Sequence, residues 1–138
     1  MSTKWAEQYI GIPYVNMGRS RKGVDCWGLV KLVYDEQTDI TLPSYGDISG
    51  EDLLTLVRMT KEVTSAEPWH PVTDKPRKFD LAVMHHRREP IHVGLMASDR
   101  MVLHIDSDVT NSILVPLNSV MLRFRAVKIV RHRGLLHV

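Results

Sequence analysis

Two hydrophobic rhythms divide the chain. In the first half apolar residues recur at steps of three and four; from residue 79 onward they come in short runs bounded by charged and turn residues. Trp5, Ala6, Tyr9 and Ile10 share one face of a short helix over 3–10, which Gly11-Ile12-Pro13 ends. Val15–Lys22 is a polar loop containing Gly18. The clearest element runs from Cys26 to Glu36. Asp25 is a suitable N-cap, no proline interrupts, and Leu29, Val30 and Val33 share a face with Cys26. That spacing sets the thiol at the edge of the buried face. Ser49-Gly50-Glu51-Asp52 matches a capping pattern and predicts a helix from about Gly50 to Glu62, with Leu53, Leu56 and Val57 inward. Glu67–Lys78, rich in proline and charge, reads as a connector.

The second half predicts strands at Phe79–His85, Ile91–Ala97, Met101–Ile105, Ser112–Val115 and Phe124–Arg131. Ser98-Asp99 would turn a hairpin. The simplest register sets Ala97 opposite Arg100 and His92 opposite Ile105; an offset of one residue instead brings His104 beside His92. Helices first and strands afterwards predict an α+β domain, with N-terminal helices packed on a C-terminal antiparallel sheet of about five strands. Neither half is large enough to stand alone comfortably, so residues 1–138 read as one domain.

Composition narrows the function. The chain has 138 residues and 43% hydrophobic content, enough for one real core. No apolar run is long enough to span a membrane. The N-terminus lacks the apolar stretch of a signal peptide, so synthesis in a cytoplasm without export signal is expected. A formal charge of +2 is too mild to argue for nucleic acid, and the clusters Arg19–Lys22, His85–Arg88 and Arg131–Arg133 read as solvated turns or chain end.

Candidate chemistry centres on the single cysteine. A thiol on the first turn of a helix meets unpaired N–H groups and the positive end of the dipole, which favour the nucleophilic thiolate. Such a nucleophile needs a base and a group that orients the base. Among seven histidines, His92 stands out within the apolar Ile91-His92-Val93-Gly94-Leu95-Met96, and Gly94 would allow close approach of another backbone. His104 lies in the next strand as the orienter. No Cys-x-x-Cys or His-Glu-x-x-His pattern is present, so no metal is expected.

Gly11-Ile12-Pro13-Tyr14, Gly23-Val24-Asp25-Cys26-Trp27-Gly28-Leu29-Val30, Phe79-Asp80-Leu81-Ala82-Val83, His92-Val93-Gly94-Leu95-Met96 and Leu103-His104 together resemble the NlpC-type cysteine peptidases. These are papain-like enzymes that cut peptides of the bacterial cell wall. The resemblance implies Cys26 as nucleophile, His92 as base and His104 as orienter, with no cofactor. It sets the Tyr14 hydroxyl near the thiol and oxyanion, and Asp25 beside the substrate, holding a free peptide amine. It implies a thiol pKa lowered to about 3.5–7.5. The substrate class is the peptidoglycan stem peptide, cut at a γ-D-glutamyl–diamino-acid bond. Trp27 replaces the family's usual serine, and its ring would reshape or narrow the cleft. That tryptophan, the small size and the missing export signal resemble the branch of phage and prophage tails, whose partners would be tail-tip proteins. Two further readings keep the fold: a thiol-dependent amidase or acyltransferase, and a tail-assembly protein with little catalysis.

Overall fold

The computed structural model describes residues 2–44, 68–86, 89–106, 110–119 and 125–136. The helix expected over 50–62 lies outside the described residues. The chain opens with a 3-10 helix, Lys4–Tyr9, whose Ala6 and Tyr9 are buried and Trp5 partly so, while Ile10, expected on the same face, lies beyond the helix and is exposed. Gly11, at φ 89°, turns the chain out of it. A hairpin of two-residue strands follows, β1 Arg19–Ser20 inside the Val15–Lys22 segment expected to be loop and β2 Gly23–Val24 just after it. The helix α1, Cys26–Gln37, comes next.

The rest of the described chain is mainly sheet. Its strands are β3 Trp69–Pro71, β4 Leu81–His86, β5 Glu89–Met96, β6 Met101–His104, β7 Ile113–Pro116 and β8 Arg125–His132. They lie in the order β3-β8-β4-β5-β6-β7, antiparallel at every pairing. The fold is therefore α+β, with few helices against a large antiparallel sheet. Six strands rather than about five build it, because β3 also joins the edge. This strand was hidden in the proline-rich connector: it has three residues, and its partner β8, not its own pattern, makes it a strand.

Alternation along the strands sorts the core. Leu81, Val83, Val93, Leu95, Leu103 and Ile105 join Leu29, Val30, Val33 and Tyr34 of α1 in one buried cluster. Ala82, Met84, Met96 and Val102, offset by one residue, form a second. One buried ion pair crosses the sheet. Asp80 takes two hydrogen bonds from Arg131, Nε to Oδ1 and Nη2 to Oδ2, both at 2.8 Å. It also accepts the Arg77 N–H at 2.8 Å.

Phe79 does not begin a strand as expected. It holds φ 77°, a left-handed angle that a bulky residue rarely adopts. Its N–H donates to Met96 O at 2.9 Å, the Tyr34 hydroxyl donates to its carbonyl, and the Trp5 ring packs edge-on at 5.0 Å. Those contacts hold the ring and backbone where glycine would be easier.

Candidate active site

The nucleophile candidate is the first residue of α1, and the residues before it are spent on holding it there. Asp25 is wholly buried and caps the helix: its Oδ1 accepts the Gly28 N–H at 2.8 Å and the Arg19 Nη1–H at 2.7 Å. The helix ladder starts with Leu29 N–H donating to Asp25 O at 3.0 Å. A peptide amine would have to compete with Arg19 for this carboxylate. Asp25 thus has a structural role as helix cap and as partner of Arg19. Arg19, read from sequence as part of a solvated turn, is its partner.

Trp27 also differs from its expected place. Its ring is 1% exposed within the main core, and its Nε1–H donates to Pro43 O at 2.8 Å. It pins the start of α1 to the segment beyond the helix rather than lying open in a cleft.

Tyr14 is stitched beside the strand that leads into α1. It bridges Val24 in parallel, with Val15 N–H donating to Val24 O and Val24 N–H donating to Pro13 O, each at 3.0 Å. Its half-buried ring packs on the cluster that contains Cys26. Gly28 closes the arrangement. A Cβ there would come within 2.0 Å of the Gly18 carbonyl oxygen, which is backbone and has little room to yield. Gly28→Ala should push the Gly18–Arg19 loop off the helix start and destabilise the fold by about 1–3 kcal/mol. Denaturant midpoints of the two proteins check this.

The two histidines meet through the offset register. Leu95 pairs with Leu103 and Met96 with Val102, while Ala97 N–H donates to Met101 O at 2.8 Å. This is one residue away from the simplest pairing, and the shift moves His104 onto the face of His92. His92 Nε2 and His104 Nδ1 then lie 3.1 Å apart, with the rings edge to face at 5.2 Å. Both residues are only 2% exposed. Gly94 makes room, though for side chains rather than the expected backbone: a Cβ there would lie 2.7 Å from Val102 Cγ2 and 3.3 Å from His104 Cβ.

Cys26 reaches the same hairpin. The backbone N–H groups of Val93, next to His92, and of Trp27 both favour the thiolate. Burial outweighs them. Desolvation first, then the charge of Asp25, push the thiol up to about 12. The expected lowering to about 3.5–7.5 is overturned in this state, because a helix N-terminus cannot offset removal of the anion from water. Burial, helped by the neighbouring His104, holds His92 well below 6.5, and His104 is lowered by burial too, against the pull of Asp106. Thiol and imidazoles are therefore neutral together at pH 7.

This ties stability to pH. Folded Cys26 loses its proton near 12 against 9.0 ordinarily, so its contribution is whole below pH 9 and is lost as pH climbs towards 12. His92 and His104 bind protons below 6.5 when folded, so their contribution is whole above pH 6.5 and is lost as acid is added. Stability should therefore plateau between pH 6.5 and 9. Each group can steepen its limb by up to about 1.4 kcal/mol per pH unit. Urea unfolding across about pH 4 to 11 checks this, and Cys26→Ala should make the alkaline limb shallower.

Asp106 is the residue that sequence reading missed. It is 8% exposed, and one of its oxygens and one ring nitrogen each of His92 and His104 all lie within 4.8 Å of one another. The signal was available: Asp106 follows His104 by two, the strand period. These three are also the metal-ligand types that the described residues bring together, although no ligand motif marks them in sequence.

A capped helix that opens on a cysteine packs against a large antiparallel sheet, the arrangement of a papain-like α+β fold, and that sheet carries a bonded histidine pair. The NlpC/P60 family model matches residues 11–131, and the chain belongs to the NlpC/P60 family. Among solved structures it resembles the NlpC/p60 domain of the peptidoglycan hydrolase SagA, with a TM-score of 0.61 and 20% identity over 91% of this chain and 92% of that one. No curated protein matches the chain.

Proposed function

We propose that this protein is a cysteine peptidase that hydrolyses stem peptides of bacterial peptidoglycan, at a γ-D-glutamyl–diamino-acid bond. One observation carries the reading: Cys26 starts the capped helix α1 that packs on the sheet, and within that sheet His92 is bonded to His104 at 3.1 Å. Family membership and the likeness to a peptidoglycan hydrolase domain support the substrate class.

In this reading Cys26 Sγ attacks the scissile carbonyl carbon and its proton passes to His92 as attack proceeds. A thiol near 12 is thereby activated during reaction instead of resting as a thiolate. The Cys26 backbone N–H meets the oxyanion, with the Tyr14 hydroxyl alongside. His92 returns the proton to the leaving amine. Water, deprotonated by His92, then cleaves the thioester and restores the thiol. His104 keeps the His92 ring in place.

Liquid chromatography and mass spectrometry of purified peptidoglycan after digestion tests this. The expected products carry a new carboxylate on glutamate and a free amine on the diamino acid. Fragments bearing an added amine or lipid instead of water would favour the acyltransferase reading. The buried, neutral thiol is the observation that favours a tail-assembly protein with little catalysis; a folded protein that releases no fragments would support that reading and overturn ours. For place of action we propose the cell envelope, reached as part of a phage or prophage tail. The support is the tryptophan following the nucleophile and the small size of the domain. Co-purification with tail particles checks it.

A further inference from the structure

We propose that Asp106 is a positioning residue that selects the working tautomers of the histidine pair by accepting a hydrogen bond from His104 Nε2–H. This rests on the peptidase reading above. Proton counting constrains the pair. His92 Nε2 and His104 Nδ1 face each other at 3.1 Å, and a single proton fits between them. For His92 to take the thiol proton at Nδ1, that nitrogen must be bare, so the resting proton sits on Nε2. His92 Nε2–H then donates to His104 Nδ1, and the proton of His104 itself sits on Nε2.

That second nitrogen is where the pair is incomplete. His104 Nε2 is buried and has no hydrogen-bond partner among the described residues. A buried N–H left unmet costs about 1–3 kcal/mol, enough to favour the opposite tautomers. In those, His92 Nδ1 carries a proton and cannot receive another from the thiol. The carboxylate that the fold sets beside the pair belongs to Asp106, on the same strand parity as His104 and with an oxygen inside the 4.8 Å grouping. Its charge already draws a proton towards His104 against the opposing effect of burial. A small rotation of a short side chain converts that proximity into a hydrogen bond. When His92 becomes imidazolium during attack, the same carboxylate steadies the charge through His104, and the proton stays on His92 for the leaving amine.

The test measures tautomers and rates on the full chain. Long-range 1H–15N spectra should show protonated Nε2 on both His92 and His104 in the wild type. Asp106→Ala should shift His104 to the Nδ1–H form or a mixture. On soluble stem peptides it should lower kcat by about 10²-fold while KM stays within about two-fold. Asp106→Glu should restore the tautomers and part of kcat. Unchanged tautomers and kcat in Asp106→Ala would overturn the proposal. So would one equivalent of zinc in the wild type that Asp106→Ala loses, which would make Asp106 a metal ligand. The spectra need no substrate. Wild-type protein that cleaves nothing would defeat the peptidase reading, while the tautomer result would still decide the role of Asp106.

Discussion

Cys26→Ala is expected to cut release of peptide fragments from peptidoglycan by at least about 10³-fold. No other described group replaces an attacking sulfur at the start of α1, and the histidine pair has nothing to deprotonate without it. The fold should survive. The substitution removes one buried sulfur, and a cost of about 1–2 kcal/mol is a fraction of a typical domain's stability. Cys26→Ser should be nearly as inactive, because the thiol is already held at about 12 by burial and an alcohol is harder still to ionise. Fragment release and a thermal melt on the same samples separate lost chemistry from lost structure. Strong residual release with Cys26→Ala would remove the nucleophile from the account.

The largest stability effect is expected far from the thiol. Asp80→Ala leaves the Arg131 guanidinium buried, 8% exposed at the side chain, without the carboxylate that takes its two hydrogen bonds. It also strips the Arg77 N–H of its acceptor. Breaking such a pair costs about 3–5 kcal/mol, chiefly through the charge left behind. Much of the stability of a domain this size would be gone. The effect reaches the site, because Asp80 begins the run into β4, and β4 pairs with both β5 and β8. Replacing both partners by apolar residues of similar volume should recover most of the loss. Urea midpoints of Asp80→Ala and the double variant measure both effects.

Local signals carried much of this fold. The cap at Asp25 and the apolar face of Leu29, Val30 and Val33 announced α1 because helix start and burial are written within a dozen residues. A histidine inside an apolar strand announced His92 in the same way. What stayed hidden depends on partners distant in sequence. The strand at Trp69–Pro71 exists through its pairing with β8. The register that unites His92 and His104 is set by how the chain turns after Ala97, which an alternating pattern leaves open to a one-residue shift. Burial of Cys26 comes from packing of α1 on the sheet, so the local helix field suggested a thiolate that the tertiary environment reverses.

Asp25 and Trp27 also have structural partners that their motif does not announce: Asp25 caps α1 and holds Arg19, and Trp27 donates to Pro43. Phe79 holds a positive φ that its residue type does not announce, with Tyr34 and Trp5 keeping it in place.

The most direct test of the central claim is covalent capture by a stem-peptide analogue carrying a chloromethyl ketone in place of the γ-D-glutamyl scissile amide. Intact-mass analysis should show one equivalent bound, and peptide mapping should place it on Cys26, with concurrent loss of peptidoglycan cleavage and protection by excess stem peptide. A protein that goes on cleaving peptidoglycan while Cys26 stays unmodified, or that carries the label on another residue, would contradict the account.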